Sequence, residues 1–417
     1  MTVTSVDPYR EIVFDKDGDG PRGQAGALAD LARRGCTDLV LFSHGWNNSP
    51  SVASGLFSRF FAPFPRVAAP GARLGYAGLV WPSMMFSDEP VPDYAALAAT
   101  VPGRAAVVAR LAELIGEEPA EEAAFTEFAA LLRDLADIGP QAPAEGPAPG
   151  PAEGRAEGPA AVAAPAFLLG DPLTVYGMFA DAAWEAAGVP PGAREAEPLL
   201  GGDRVKRLWK GAKEALRQAT YYTMKRRAGV VGERGLGPLL GELARTAPAL
   251  RVHLVGHSFG ARLVAHALRG LPAGARTVKS VTLLQGAFSH YAFAARLPHE
   301  PGRGGALRDL QRRVDGPLVA CHSHRDTALR VFYPLASRLA RDDESLLGRD
   351  DPRWWAIGYD GVQAVPGTAA LTLGAALRDG LPATGCVSVD TAPVVSEHSD
   401  ICHEELARLV ARAGRFG

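Results

Sequence analysis

The sequence predicts an α/β fold in which a mostly parallel central sheet carries helices on both faces. Segments typical of strands and of helices alternate along most of the chain, and this alternation is characteristic of parallel sheets built from βαβ units. Several predicted strands are continuous apolar runs, such as Leu39–Phe42, as expected for strands that are buried on both faces. The 417 residues are 47% hydrophobic and 22% charged, which is enough apolar material for a large core.

The predicted elements follow one another in a regular order. Each apolar strand segment is followed by a loop and then by residues with helical periodicity. The sequence therefore predicts strands at Glu11–Phe14, Thr37–Phe42, Leu74–Trp81, Val252–Val255, Val278–Leu284, Pro317–Cys321 and Gly385–Val389, and helices at Gln24–Arg34, Val52–Phe61, after Gly260, and at His403–Ala413.

The stretch 250–260 changes from strand to helix at the motif Gly256-His257-Ser258-Phe259-Gly260. This G-x-S-x-G pattern is typical of a nucleophile elbow, where a strained turn presents a serine at the end of a strand. Glycines lack Cβ, so the strand and the helix can approach closely on either side of Ser258. A Gly-rich βα turn with an incidental serine is the alternative interpretation of the pattern.

A second loop of interest, Ser43-His44-Gly45-Trp46-Asn47-Asn48, follows the predicted strand Thr37–Phe42. In proteins with a nucleophile elbow, such a loop supplies one oxyanion donor and the residue after the nucleophile supplies another. The predicted donors are the backbone N–H groups of Trp46 and Phe259. We expect His44, Gly45 and His257 to line the substrate site. An ordinary Gly turn with a hydrogen-bonded His44, and a His257 that merely packs beside the serine, are the alternatives.

A serine hydroxyl needs a base, and the base needs a partner that holds its tautomer. With a nucleophile elbow, the chain order is serine, acid, histidine. The residues in that order are Ser258, Asp326 and His398, and both partners follow predicted strands. The competing bases are His290, His299 and His403, and the competing acids are Asp390 and Glu397.

Two short patterns resemble metal sites but are incomplete. In His322-x-His324-x-Asp326, Thr327 stands where an H-x-H-x-D-H motif requires a final histidine. The segment Asp15–Gly20 begins like a calcium loop, but Gly26 occupies the twelfth position, which requires Glu. We therefore expect no metal, and the predicted chemistry requires no organic cofactor.

Residues 84–203 show helical periodicity and no convincing strand, so we predict a helical insertion that is a possible lid. Within it, residues 139–166 are mostly Pro, Ala, Gly and Glu, which predicts a disordered linker. A helix with the apolar stripe Val205–Ala219 follows, and its other face is basic. That face has the composition of a phosphate, membrane or nucleic-acid site, but a solvated face paired with acidic residues is the favoured interpretation.

The overall composition argues against several classes of protein. The net charge is −2, so no nucleic-acid partner is expected. No apolar run is long enough for a transmembrane span, and residues 1–13 lack the apolar region of a signal peptide. The four cysteines are far apart, as is usual for reduced thiols in a cytoplasmic protein. The sequence gives no indication of oligomeric state.

The loops after the predicted strands resemble those of the α/β-hydrolase superfamily. The chain is similar to poorly characterised bacterial lipase- and esterase-like proteins, especially an actinobacterial group. The segments that carry the resemblance are Phe42–Asn48, Gly256–Gly260, Leu284–Ser289, His322–Leu329 and His398–Ile401, whereas 84–203 has no matching motif. The resemblance implies an α/β-hydrolase fold with Ser258 as nucleophile, Asp326 as acid, His398 as base, and Trp46 and Phe259 as oxyanion donors.

These observations predict a serine hydrolase that cleaves a small-molecule carboxylic ester through an acyl-enzyme at Ser258. A non-catalytic binding or scaffold protein on the same fold is the main alternative, motivated by the basic helix and the insertion. An acyltransferase that uses the same triad is a further alternative, since this fold hosts many chemistries.

Overall fold

The computed structural model describes residues 5–46, 48, 50–83, 98, 103–136, 166–186, 202–326, 328–334 and 351–417. The chain divides into two compact units. The first unit comprises Met1–Ser87, Met224–Leu335 and Leu347–Gly417. The second comprises Asp88–Thr223 and Ala336–Leu346. Most of the linker predicted at 139–166 lies outside the described residues, and its last residue, Ala166, is the first residue of a short helix.

The first unit contains an eight-stranded sheet in which every pair of neighbours is parallel. The predicted α/β class with a parallel sheet is therefore confirmed. The strand order is β1-β3-β2-β4-β5-β6-β8-β7. The strands are β1 (Tyr9–Val13), β2 (Asp38–Ser43), β3 (Leu74–Val80), β4 (Arg251–His257), β5 (Val278–Leu284), β6 (Pro317–His322), β7 (Ala369–Thr372) and β8 (Gly385–Asp390).

Seven of these strands coincide with the predicted segments to within about two residues at most ends. The eighth, β7, was not predicted. It has only four residues, it lies at the edge of the sheet, and its burial alternates between half-exposed and exposed positions. Only Ala369 and Leu371 of this strand pack against the core, and both are partly buried. Because the strand is so short, it leaves little periodic signal in the sequence.

The helices lie between strands in the chain or follow the last strand, and several helices of the first unit pack on the sheet. They are α1 (Gln24–Arg33), α2 (Pro50–Phe61), α3 (Phe64–Val67), α4 (Ala105–Glu117), α5 (Glu122–Leu135), α6 (Ala166–Leu169), α7 (Pro172–Ala186), α8 (Gly202–Val230), α9 (Gly237–Thr246), α10 (Phe259–Gly270), α11 (Ile357–Asp360), α12 (Leu373–Asp379) and α13 (Glu404–Gly414). A π-helical turn at Val231–Leu236 joins α8 to α9, and a second π-helical turn spans Ala328–Phe332.

The two faces of the sheet are covered by different helices, because side chains alternate along each strand. Val40 and Phe42 of β2 face an apolar cluster that α2, α3, α12 and α13 complete. Phe42 stacks on Phe60 with ring centroids 4.0 Å apart. On the opposite face, α10 packs against β2, β4 and β5, and Leu31 of α1 lies over Gly75 of β3. Both faces are thus buried, which explains the continuous apolar strands.

In the second unit, the described residues form helices and no strand. Phe125 stacks on Trp209 at 4.7 Å, and Tyr176 and Phe179 are also buried there. The apolar segments Phe167–Leu169 and Val175–Phe179 of the insertion, which was predicted as a possible lid, are therefore largely core residues of this unit. Leu169 is an exception, with 48% of its surface exposed.

The basic face of α8 is partly neutralised within the second unit. Lys213 pairs with Glu118 at 3.2 Å, and Arg207 pairs with Asp181 at 2.5 Å. Arg217 pairs with Glu214 on the same helix. These pairs match the favoured interpretation of the basic face, in which acidic residues of the insertion compensate it.

Three smaller predictions concern the first unit. The Asp15 carboxylate accepts hydrogen bonds from the backbone N–H groups of Asp17 and Asp19, so it closes a polar turn. All four cysteines are free thiols, and Cys402 alone of the four is exposed. Within the described residues, no helix combines the length and the apolar character needed to cross a membrane.

Candidate active site

Ser258 lies at a sharp turn between β4 and α10. Its φ of 56° and ψ of −117° give a residue with a side chain a positive φ, where backbone strain is expected. A Cβ on Gly260 would collide with the carbonyl oxygens of Ser43 and His44, and a Cβ on Gly256 would collide with Gly260. Both glycines are therefore required by close approach of backbone segments, as the motif predicted.

The side chains of Ser258, His398 and Asp326 form one hydrogen-bonded chain. The Ser258 Oγ lies 2.8 Å from His398 Nε2, and His398 Nδ1 lies 2.6 Å from Asp326 Oδ2. Asp326 is fully buried, and its Oδ1 also accepts the backbone N–H of Leu329 at 3.0 Å. A carboxylate held in this way fixes the Nδ1–H tautomer of His398, which leaves Nε2 as the acceptor of the serine proton.

The three residues come from loops at the carboxyl ends of β4, β6 and β8. Parallel strands end at one edge of a sheet, so these distant segments meet there. The chain leaves β2 towards β3 on one side, and it leaves β4 towards β5 on the other side. The gap between β2 and β4 is thus the topological switch point, where open α/β sheets form their ligand crevices.

The loop after β2 lies against the turn at Ser258. A Cβ on Gly45 would come within 3.0 Å of the Ser258 Cβ, which shows how closely the loop approaches. Trp46 follows Gly45, and its ring lies 6.3 Å from the ring of Phe259. Phe259 is the first residue of α10, at the positive end of the helix dipole. Both predicted oxyanion donors therefore belong to segments that flank Ser258.

His44 is fully buried and has no surface to offer a substrate. Its Nδ1–H donates to the carbonyl of Gly45 at 2.9 Å, and its Nε2 accepts the backbone N–H of Trp81 at 3.4 Å. Burial lowers the pKa of His44 to about 4, so the ring is neutral near pH 7. In place of the expected substrate contact, His44 braces the loop that carries Gly45 and Trp46.

His257 is also buried, with 6% of its surface exposed. Its Nε2 lies 2.8 Å from the carbonyl oxygen of His398, so this nitrogen carries the proton and donates it. The other ring nitrogen, Nδ1, has no hydrogen-bond partner among the described residues. The Nε2–H of His257 is thus directed at the backbone of His398. The side chain has almost no accessible surface with which to make the expected contact with a substrate.

The competing acids and bases lie in other environments. His290 binds Asp360 at 2.9 Å, and His403 binds Asp400 at 2.6 Å. His299 is exposed, and its ring lies 5.7 Å from that of Tyr291. The remaining candidates are Asp390, which accepts the backbone N–H of Ala392, and Glu397, which is exposed.

The side chains of the incomplete metal motif contact different partners. Asp326 is engaged by His398, whereas His324 is exposed and its ring contacts Tyr359. Within the described ranges, no group of three or more His, Cys, Asp or Glu side chains is arranged to hold a metal ion. An open cavity of about 560 Å³ beside His322 is lined also by Asp360 and does not include the three triad residues.

Sequence reasoning missed the residues that brace the loop after β2. Trp81 donates its indole N–H to the carbonyl of His44 at 3.0 Å. The Ser83 hydroxyl donates to the carbonyl of Asn48 at 3.0 Å, and the buried Arg227 donates to the carbonyl of Pro82 at 2.7 Å. The one signal for them was that Trp81–Ser83 follow a strand next to β2 in the sheet.

A second serine, histidine and aspartate set lies at the opposite ends of the strands. His253 Nδ1 lies 2.9 Å from Ser280 Oγ, and its Nε2 lies 2.9 Å from Asp38 Oδ1. All three residues are at most 3% exposed, so no substrate can reach them. This set is a buried structural network and provides an internal control for experiments on Ser258.

Comparison with known proteins identifies no relative of this chain: no family model, no curated protein and no solved structure matches it. The chemistry of the site is therefore inferred from its geometry.

Proposed function

We propose that this protein is a serine hydrolase that cleaves a carboxylic ester through an acyl-enzyme at Ser258. The observation that carries the proposal is the hydrogen-bonded chain from Ser258 Oγ through His398 to the buried Asp326. A serine hydroxyl is a weak nucleophile near neutral pH, and an adjacent imidazole with a fixed tautomer is the arrangement that activates it. The strained turn at Ser258 adds weight, because such strain clusters at functional sites.

In the proposed reaction, His398 Nε2 takes the proton of the Ser258 hydroxyl as its Oγ attacks the ester carbonyl. Asp326 stabilises the imidazolium that forms. Backbone N–H groups of Trp46 and Phe259 stabilise the oxyanion of the tetrahedral intermediate. His398 then gives its proton to the leaving alcohol, and the acyl group stays on Ser258. Water, deprotonated by His398, then attacks the acyl-enzyme. The bond to Ser258 Oγ breaks, His398 returns the proton to that oxygen, and the acid is released.

We further propose that the parallel sheet is an α/β-hydrolase sheet. Two features support this assignment. The serine lies on a strand-to-helix turn flanked by glycines that touch neighbouring backbone. The acid and the histidine follow it along the chain in the order expected for this fold, after β6 and β8.

Labelling with a fluorophosphonate probe tests the proposal. The wild-type protein should be labelled on the peptide that contains Ser258, and it should hydrolyse p-nitrophenyl esters. Ser258→Ala should abolish both signals, because it removes the nucleophile. Ser280→Ala is the matched control, since Ser280 also contacts a histidine but is 1% exposed, and this variant should label like the wild type.

A folded wild-type protein that neither labels nor turns over any ester of a graded chain-length series would refute the hydrolase proposal. A binding or scaffold protein on the same sheet would then be favoured. Labelling at Ser258 without release of free acid in water, but with release upon addition of an alcohol or amine, would instead favour acyl transfer.

A further inference from the structure

His257, the residue before the nucleophile, ties the base to the nucleophile turn. Its Nε2–H donates to the backbone carbonyl of His398 over 2.8 Å. The two imidazole rings lie 4.9 Å apart at 46°. His257 also precedes Ser258 directly in the chain. It therefore links the backbone of the proposed nucleophile to the backbone of the proposed base.

The loop that carries His398 has few other connections. Residues 396–400 are held together internally, since the Asp400 carboxylate accepts both the backbone N–H and the hydroxyl of Ser396. Among the described residues, the bond from His257 is the one hydrogen bond that reaches the backbone of 396–400 from a residue remote in the chain; the backbone N–H of the adjacent Ile401 donates to the carbonyl of Ser399. Without that bond, the backbone on the N-terminal side of His398 would be held from outside the loop only as near as Val395, whose carbonyl accepts the Ser323 hydroxyl at 2.9 Å.

The tautomer of His257 is set by the same contact. A carbonyl oxygen only accepts hydrogen bonds, so Nε2 must carry the proton and Nδ1 holds a lone pair. Nδ1 lies 3.0 Å from the position of a Cβ on Gly45, and no described residue donates to it. Burial, with the nearby His398 as a lesser cause, lowers the pKa of His257 to about 3. The ring therefore stays neutral near pH 7, and its single proton remains available to His398.

We infer that His257 is a positioning residue, which holds the backbone of His398 so that its ring stays between Ser258 and Asp326. The inference rests on the proposed function, in which His398 transfers the proton. The two hydrogen bonds of His398, at 2.8 and 2.6 Å, tolerate little movement of the ring. A misplacement of about 1 Å in a catalytic group costs on the order of 10²-fold in rate.

The first test uses the wild-type protein labelled with nitrogen-15 in its histidines. The nitrogen shifts of His257 should report a neutral ring protonated on Nε2 between pH 6 and pH 8. A ring protonated on Nδ1 could not donate to the carbonyl of His398, and this result would overturn the inference without any variant.

The second test compares two amide substitutions. In His257→Gln the terminal amide reaches the position of the imidazole Nε2 and can still donate to the carbonyl of His398. In His257→Asn the amide reaches only as far as Nδ1, so the bond is lost. We expect His257→Asn to lower kcat about 10²-fold with little change in KM, and His257→Gln to restore most of it. Equal kcat values in the two folded variants would overturn the inference.

A structural readout separates this inference from the proposed function. The proton on His398 Nδ1, shared with the buried Asp326 at 2.6 Å, should give a far-downfield proton resonance. It should persist in the wild type and in His257→Gln and disappear or broaden in His257→Asn. If the wild type and the two variants show this pattern of resonances but the wild type shows no turnover, the positioning role stands and the hydrolase proposal fails. An unchanged resonance in His257→Asn refutes the positioning role whatever the activity.

Discussion

Substitution of Asp326 by Asn tests the proposed role of this buried carboxylate in the proton transfer. In the wild-type protein, Asp326 Oδ1 accepts the backbone N–H of Leu329 and Oδ2 accepts His398 Nδ1–H. An Asn side chain keeps this shape but has only one oxygen. The N–H of Leu329 requires that oxygen, so the amide NH₂ must face His398.

The consequence is a reversed tautomer. An NH₂ group opposite Nδ1 forces that nitrogen to accept, and the proton of a neutral ring moves to Nε2. His398 Nε2 then presents a proton to Ser258 Oγ and cannot take one. In a comparable triad this change costs roughly 10⁴-fold in kcat, which corresponds to about 5.5 kcal/mol at about 1.4 kcal/mol per tenfold change. Because Asp326 is fully buried, water cannot substitute for the lost acceptor.

The assay is p-nitrophenyl ester hydrolysis together with the rate of fluorophosphonate labelling, on proteins shown by circular dichroism to be folded. Asp390→Asn is the matched control, because Asp390 is the last residue of the neighbouring strand β8 and accepts the backbone N–H of Ala392. We expect the control to retain its activity. If folded Asp326→Asn kept more than about a tenth of wild-type kcat while Asp390→Asn lost its activity, the acid would be Asp390 and the tautomer argument would be wrong.

Three further predictions concern stability. His266 is 6% exposed, neither ring nitrogen has a partner among the described residues, and burial holds its pKa well below the ordinary value. The unfolded chain takes up a proton there below about pH 6.5 and the folded chain does not, so acidification lowers the free energy of unfolding by up to about 1.4 kcal/mol per pH unit. His266→Leu should weaken this pH dependence in thermal unfolding between pH 7.5 and pH 5, and an unaltered slope would contradict the argument. Gly260→Ala should destabilise the fold by about 3 kcal/mol, because its Cβ meets the backbone of Ser43 and His44. Gly26→Ala, at a helix position with open space around it, should instead stabilise the fold by about 0.5–1 kcal/mol. Urea denaturation measures the free energy of unfolding of both variants. Equal effects of the two substitutions would show that the close approach of backbone at Gly260 is not the cause of the destabilisation. Deletion of residues 141–160 should leave the melting temperature and turnover unchanged, since their Pro, Ala, Gly and Glu composition does not favour a packed core; a large fall in melting temperature would show that they are structured.

The order of residues along the chain was enough to select the residues of the candidate site but not to give their geometry. Ser258 was recognisable because the strained turn requires glycines on both sides, and that requirement is local. Asp326 and His398 were selected from their order and from their places after strands. The distances of 2.8 and 2.6 Å join residues that are 140 and 72 positions apart, and they arise only when the loops after three strands meet at one edge of the sheet. No local pattern encodes such a meeting.

What the sequence by itself determined is the set of elements with strong periodicity: the buried strands, their parallel class and the helix that follows Ser258. Strands that are buried on both faces have continuous apolar sequences, so these elements can be predicted without a structure. Tertiary structure alone decided the edge strand β7, the identity of the acidic partners of the basic helix face, and the roles of His44 and His257. A histidine can bind a substrate, brace a loop or orient a neighbour with the same side chain. Its burial and its hydrogen-bond partners distinguish these roles, and both depend on residues remote in the chain.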